Sequence, residues 1–228
     1  MKLFTKTLAA ASLAGAAIAA TPAAAQVSGN IAVANAPATI AFSNALNTAY
    51  QQINTTYAAD ITSLQQKSQQ RQALVQPFDT DGDGQLNQTE MQAYQGTTQA
   101  QQVQTLDQEL GQLSNRLDAA RVYAVEQVLN QYGTALQSVI TQNNIVAVLS
   151  PDSLVWSNQA ANINQKVLDA MDAAPVAVQV TPPQGWQPSQ QAVGAFQQVQ
   201  QIRLIAAARQ QQAQQQAQQQ QPAQPSGR

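Results

Sequence analysis

Three short stretches of the chain have the pattern of β-strands. Residues Asn30–Asn35 alternate between apolar and small or polar side chains and are followed by Pro37, which ends a strand. Residues Ile145–Leu149 form a continuous apolar run between polar segments, which is typical of a buried strand. Residues Val176–Val180 alternate again before a pair of prolines. The pattern therefore predicts a small sheet built from both ends of the chain.

Between the first two strands, apolar side chains recur every three or four residues in two long stripes, as in helices. The outgoing stripe contains Leu46, Tyr50, Ile53, Tyr57, Ile61, Leu64, Leu74 and Val75. The returning stripe contains Val103, Leu106, Leu110, Leu113, Leu117, Ala120, Ala124 and Val128. Its steps are close to a heptad repeat, which favours a coiled coil. We predict helices over Thr39–Phe78 and Gln99–Asn143, each roughly 60 to 70 Å long at 1.5 Å per residue.

Helices of matched length can pair as an antiparallel hairpin. The prediction is an α+β chain, mostly α, in which a coiled-coil arm (39–143) is inserted in a small β head (26–38 and 144–183). The head also includes a short helix over Asn158–Met171. The alternative is that both long helices belong to a compact bundle, although few aromatic residues are available to fill one.

The C-terminal region has a different composition. Residues 184–209 are predicted to form a helix, with apolar residues three apart from Val193 onward. Residues 210–228 are rich in Gln and Ala and form a low-complexity tail, although its Ala and Gln residues can continue the helix.

The first 25 residues have the pattern of a secretory signal. Lys2 and Lys6 precede an apolar stretch from Leu8 to Ala20, and small residues end at Ala25. We predict export to the periplasm with cleavage after Ala25. A transmembrane anchor is the alternative, but it needs about 20 apolar residues, and this stretch is broken at Pro22.

Composition excludes several classes of function. The chain has no Cys and no His, so thiolate nucleophiles, Cys/His zinc sites and the Ser/His/Asp triad are excluded. Outside one acidic loop the carboxylates are scattered, and we predict that the protein is not an enzyme. Without the two leader lysines, eight basic residues remain against 12 acidic ones, a net charge of −4. This charge disfavours nucleic-acid binding and does not imply a membrane surface as a partner.

The acidic loop interrupts the hairpin at residues 79–90. Asp79, Asp81 and Asp83 occupy the first, third and fifth positions of an EF-hand loop, and Gly84 supplies its turn. The remaining predicted ligands are the backbone carbonyl of Gln85, the side chain of Asn87 and, at the twelfth position, Glu90. We predict a Ca²⁺ site with a weak affinity, on the order of 10⁻⁴ to 10⁻³ M, because no second hand is present. The alternative is a solvated acidic turn.

The segments Ile31–Asn35, Ile145–Asn158 and Ala161–Leu168, placed around a long helical hairpin, resemble the OmpH/Skp family of periplasmic chaperones. The resemblance implies a homotrimer in which the strands of three chains close into a barrel. It also implies three arms around a cavity that holds unfolded outer-membrane proteins. Closure would pair the exposed strand edges and bury Val33, Ile145, Val148 and Leu154 together.

The resemblance implies an ATP-independent holding chaperone for unfolded outer-membrane proteins, and the acidic loop predicts that Ca²⁺ modulates it in this chain. The family's arms are rich in Lys and Arg, whereas here they carry only Lys67, Arg71, Arg116 and Arg121. This difference argues against electrostatic steering of clients. Two other functions are compatible with the sequence. They are a structural coiled-coil protein of the envelope and a calcium-responsive regulator without chaperone activity.

Overall fold

A computed structural model describes residues 29–219 of the chain, with side chains to residue 216. The predicted signal peptide (1–25) and the end of the predicted tail (220–228) lie outside the described residues. Within the part that is described, no helix is both long and apolar enough to cross a membrane.

The chain is mostly helical with a two-stranded parallel sheet, which confirms the predicted balance of α and β structure. The sheet contains β1 (Asn30–Val33) and β2 (Ile145–Leu149). Short 3₁₀ turns occupy Gln76–Phe78, Pro151–Ser153 and Gln159–Ala161. The helices are α1 (Ala36–Phe42), α2 (Asn44–Thr56), α3 (Ala58–Val75), α4 (Gln88–Tyr94), α5 (Thr98–Gln142), α6 (Asn164–Ala173) and α7 (Gln190–Gln219).

The prediction of a third strand at Val176–Val180 is wrong. The described residues of this segment pair with no strand. Gln179 instead donates its backbone N–H to Gln127 Oε1 (2.9 Å) on α5 and accepts a bond from Gln127 Nε2 (2.8 Å). Val178 and Val180 are buried in the same helical core. A helix side chain thus satisfies the backbone groups that a neighbouring strand would otherwise pair.

The outgoing helix is divided rather than continuous. Ser43 has an extended backbone (φ −68°, ψ 145°), and its side chain accepts the N–H of Leu46, which ends α1 and caps α2. Serine is a strong N-cap because its hydroxyl satisfies a free N–H of the first turn. A second, milder irregularity at Tyr57 separates α2 from α3. The apolar stripe continues across both breaks, and the spacing therefore concealed them.

The hydrophobic core lies at the base of the molecule. There α1, α2, α6 and α7 pack around the C-terminal half of α5. Its fully buried large side chains are Ile40, Leu46, Ile53, Val125, Val128, Val167, Met171 and Val199. The base is therefore a helical bundle on a two-stranded sheet, with the C-terminal helix as one of its members.

The segment between α6 and α7 is fastened along α5. Gln131 Nε2 donates to the carbonyls of Met171 (2.8 Å) and Ala174 (3.0 Å). Glu126 accepts from Trp186 Nε1 (3.0 Å) and from the N–H of Ser189 (3.3 Å). These bonds bring α7 back against α1 and α5. The helix then continues past the predicted boundary at residue 209 as far as Gln219.

The other half of α5 pairs with α3 along its length. Lys67 bonds Glu109 and Arg71 bonds Asp107, both at 2.6 Å, and Arg116 lies 3.3 Å from Asp60. Along α3 the paired residues 60, 67 and 71 meet residues 116, 109 and 107 of α5, in descending order. The two helices therefore run antiparallel. No residue of α3 is fully buried. This part of the molecule is a thin two-helix projection.

Candidate functional site

The candidate metal loop lies at the far end of this projection, between α3 and α4. The ring of Phe78 before the loop packs edge-to-face on Tyr94 at the end of α4, with centroids 5.2 Å apart. This contact holds the two ends of the loop together. Gly82 and Gly84 have positive φ angles of 74° and 83°, which let the chain turn tightly between the aspartates.

The structure brings three of the six predicted ligands together. One carboxylate oxygen from each of Asp79, Asp81 and Asp83 lies within 4.8 Å of the others. Asp79 accepts the N–H groups of Gly82 and Gly84, both at 2.8 Å. Three carboxylates this close repel one another, and a divalent cation is the kind of partner that relieves this repulsion.

Two further predicted ligands border this group. Gln85 donates its N–H to Asp83 Oδ1 (2.7 Å). Asn87 caps α4 by accepting from the N–H groups of Thr89 (3.0 Å) and Glu90 (3.1 Å), and its Nδ2 lies 3.4 Å from Asp81 Oδ2. The side chain of Asn87 is thus shared between the helix cap and the aspartate group.

Glu90, the predicted closing ligand, is not a member of the aspartate group. Its Oε1 accepts from the N–H and the hydroxyl of Thr80, both at 2.6 Å, and its Oε2 accepts from the N–H of Asn87 (3.0 Å). The side-chain bond from Thr80 and the backbone bond from Asn87 lower the pKa of Glu90. Thr80 therefore has a role that the loop motif did not indicate, since the second position of the motif carries no ligand.

Outside the acidic loop, the surface of the projection is polar but nearly free of unpaired charge. Its cations Lys67, Arg71 and Arg116 each pair with a carboxylate of the same projection. Most of the remaining exposed positions of α3 and of the first half of α5 are Gln, Ser, Thr or Asn. A partner would therefore meet many hydrogen-bonding groups and little net charge.

The base exposes apolar side chains around the sheet. Ile31 and Val146 on the two strands, together with Val155 and Trp156, are largely exposed. These are not the residues that the sequence predicts to be buried between chains, which are Val33, Ile145, Val148 and Leu154. Val33 and Ile145 are already buried within one chain, because α6 and the segment before it cover one face of the sheet.

Comparison with known proteins identifies the relatives of this architecture. A family profile described as outer membrane protein (OmpH-like) matches residues 30–171, from β1 to the end of α6. A solved structure of a candidate outer membrane chaperone (OmpH-like) from Caulobacter crescentus is 17% identical. That match covers 83% of this chain and 99% of the other, with a TM-score of 0.34. No curated protein matches the chain with significant similarity.

Proposed function

Because the chain belongs to the OmpH-like family of outer membrane proteins, we propose that it is an ATP-independent periplasmic holding chaperone for unfolded outer-membrane proteins. The family match over residues 30–171, which spans both the base and the projection, carries this proposal. Its activity is binding rather than catalysis. The hairpin of α3 and α5 is the arm that holds the client.

The polar surface of the arm supports a specific mode of holding. Its cations are paired internally, so a client is retained through many weak contacts with uncharged side chains rather than by a charge of opposite sign. Electrostatic attraction between exposed charges decays within about 10 Å at 0.1 M salt, whereas uncharged contacts are insensitive to salt. Client holding should therefore change little between low and high salt.

An aggregation assay tests this function. An unfolded β-barrel outer-membrane protein is diluted from denaturant with and without the mature chain, in the absence of ATP, and light scattering is followed. We expect suppression at stoichiometric amounts of the chain, with similar efficiency in low and high salt. Unchanged scattering would favour a structural coiled-coil protein or a regulator and would overturn the chaperone proposal.

The assembly is proposed to be a homotrimer closed through the base. The two-stranded sheet has open edges, and Ile31, Val146, Val155 and Trp156 are exposed beside it. Burying such edges and apolar side chains between copies is the usual reason for closed association. Light scattering of the mature chain at micromolar concentration should give three times the chain mass. Trp156→Ser should weaken the trimer, whereas a wild-type monomer would contradict the proposal.

Export is proposed to remove residues 1–25 and leave Gln26 as the first residue of the periplasmic protein. The charged start and the small residues up to Ala25 support this. Mass spectrometry of the periplasmic fraction measures the terminus directly. An intact Met1 on the chain in that fraction is the contradicting result.

The arm tip is proposed to bind Ca²⁺ weakly and thereby to modulate client capture. The aspartate group supplies three ligand atoms, and the ion would draw Glu90 away from Thr80 to complete the site. Binding should order the tip, because ligands from both ends of the loop then set the angle between α3 and α4.

Calorimetry and hydrogen exchange of residues 77–96 test the calcium site. We expect Ca²⁺ to protect these amides and Glu90→Gln to abolish the protection while the trimer persists. Thr80→Val removes only the hydroxyl that competes for Glu90 and should raise the affinity by about two- to tenfold, as for one hydrogen bond. Absence of any response up to about 10 mM Ca²⁺, beyond the weak end of EF-hand sites, would leave the loop as an acidic turn.

A further inference from the structure

A polar cleft at the base lies where α2, α5 and α7 meet. Its volume is about 270 Å³, and it is lined by Tyr50, Ile53, Asn54, Arg121, Gln200 and Arg203. Gln200 and Arg203 belong to α7, outside the residues matched by the family. The cleft thus needs α7 as well as the part of the chain that the family profile matches.

Two guanidinium groups meet in the cleft. Arg203 Nη1 donates to the carbonyl of Ala41 (2.9 Å) and to Asn47 Oδ1 (2.8 Å), and its Cζ lies 5.0 Å from the ring centroid of Tyr50. Arg121 Nη1 donates to Asp118 Oδ1 at 3.0 Å. A guanidinium has five N–H donors. Both groups are therefore held in place while most of their donors remain outside these bonds.

The hydroxyl of Tyr50 is buried and has no hydrogen-bond partner among the described residues. Burial raises the pKa of Tyr50, although Arg203 and Arg121 partly oppose the effect. The hydroxyl is therefore protonated at neutral pH and is available as a donor. A buried hydroxyl without a partner destabilises a folded protein, and such groups commonly mark the place of a bound ion or water.

Among the described residues that line the cleft there is no carboxylate, and the polar side chains are donors or amides. Only Asp118 offsets the two arginines, so a net positive site exists in a chain whose formal net charge is −2. A guanidinium group binds an oxyanion through two parallel N–H···O hydrogen bonds, a bidentate arrangement. A phosphate offers more acceptor oxygens than a carboxylate and can therefore bind two guanidinium groups at once.

From these contacts we infer that the cleft is a binding site for a phosphate group, formed between α2, α5 and α7. Arg121 and Arg203 supply the charge, and Tyr50 donates to one phosphate oxygen. The amides of Asn54 and Gln200 border the site. Bound phosphate would fasten α7 to α2 and α5.

Thermal unfolding and calorimetry of the full mature chain test this site with inorganic phosphate, against sodium chloride at the same ionic strength. Phosphate should raise the unfolding midpoint and bind in calorimetry. Arg121→Gln and Tyr50→Phe should each weaken phosphate binding by about tenfold, the effect of one charge-assisted bond. Arg209→Gln, on the same helix but not in the cleft, should bind as the wild type does.

Tyr50→Phe has a second readout that separates binding from folding. Without phosphate the stability of this variant should equal or exceed that of the wild type, because an unpaired hydroxyl is removed. With phosphate, the variant should gain little of the extra stability that phosphate gives to the wild type.

A titration with glycerol phosphate distinguishes a phosphomonoester from the free ion, and the tighter binder of the two identifies the ligand class. Equal responses to phosphate and chloride, unchanged binding in both variants, or tighter binding of acetate than of phosphate would overturn the inference.

Discussion

The two halves of α5 have the same heptad-like spacing but lie in different environments. From Leu117 to Val139 the helix passes through the bundle at the base, and most positions of its stripe are buried. From Thr98 to Arg116 it pairs with α3, and only Val103 and Leu106 are buried in this half. The spacing determines which face is apolar, and the number of neighbouring helices determines how much of that face is removed from water.

This difference assigns separate roles to the two regions. Stability per residue follows the apolar area that is buried, so the base should unfold last and the arm should open locally. An arm with few buried contacts can adapt to clients of irregular shape. The base keeps three such arms in a fixed arrangement in the proposed trimer.

Matched Leu→Ala substitutions give the largest expected contrast. Leu46 is fully buried in the base, and Leu46→Ala should destabilise the protein by about 2 to 5 kcal/mol. Leu64 in the arm is only partly buried, and Leu64→Ala should cost roughly 1 kcal/mol. Denaturant unfolding of the two variants measures both values. Equal losses would show that the arm is as well packed as the base.

Gln131 tests the same contrast with a polar side chain. It is buried and donates to the backbone carbonyls of Met171 in the last turn of α6 and of Ala174 just after it, so Gln131→Leu should cost about 1 to 3 kcal/mol. Gln112 on the arm half of α5 is exposed, and Gln112→Leu should change stability by less than about 0.5 kcal/mol. If chemical denaturation finds Gln131→Leu neutral, these bonds do not secure the segment.

The ion pairs of the arm should contribute less. Replacing Lys67 and Arg71 together by Gln removes two pairs that are partly exposed, each worth about 0.2 to 1 kcal/mol at low salt. Hydrogen exchange of the α3 amides should accelerate in the variant at low salt and match the wild type at high salt. Exchange that stays faster at high salt would indicate that the stems of these side chains, rather than their charges, stabilise the arm.

The smallest effect on global stability is expected at Glu90. Hydrogen bonds from Thr80 and Asn87 lower the pKa of Glu90, so its contribution is complete above the ordinary value of 4.5 and is lost as the pH falls through the lowered pKa. Protection of the amides of residues 79–90, relative to their intrinsic exchange rate at each pH, should therefore fall at acid pH while the base stays protected. Glu90→Gln should remove this pH dependence, and a pH response that is unchanged in the variant would show that Glu90 does not cause it.

Local patterns predicted the elements that depend on few neighbours. The α5 helix was predicted within one residue at each end, because its stripe runs without interruption. The strand at Ile145–Leu149 was predicted at its observed bounds, since polar residues and a proline enclose an apolar run. The acidic loop could also be located from the sequence, because all its candidate ligands lie within residues 79–90.

The remaining features depend on residues that are distant in the sequence. Alternation at Val176–Val180 indicates one buried face but not whether a strand or a helix covers it, and Gln127 of α5 takes the place of the strand. The cleft joins Tyr50, Arg121 and Arg203 from three helices. The sequence by itself determined the long helix α5, the two strands and the loop, because hydrogen bonds and periodicity within a segment specify them. Only the tertiary structure decided which faces became core, arm surface or cleft, because burial depends on the neighbours that each face meets.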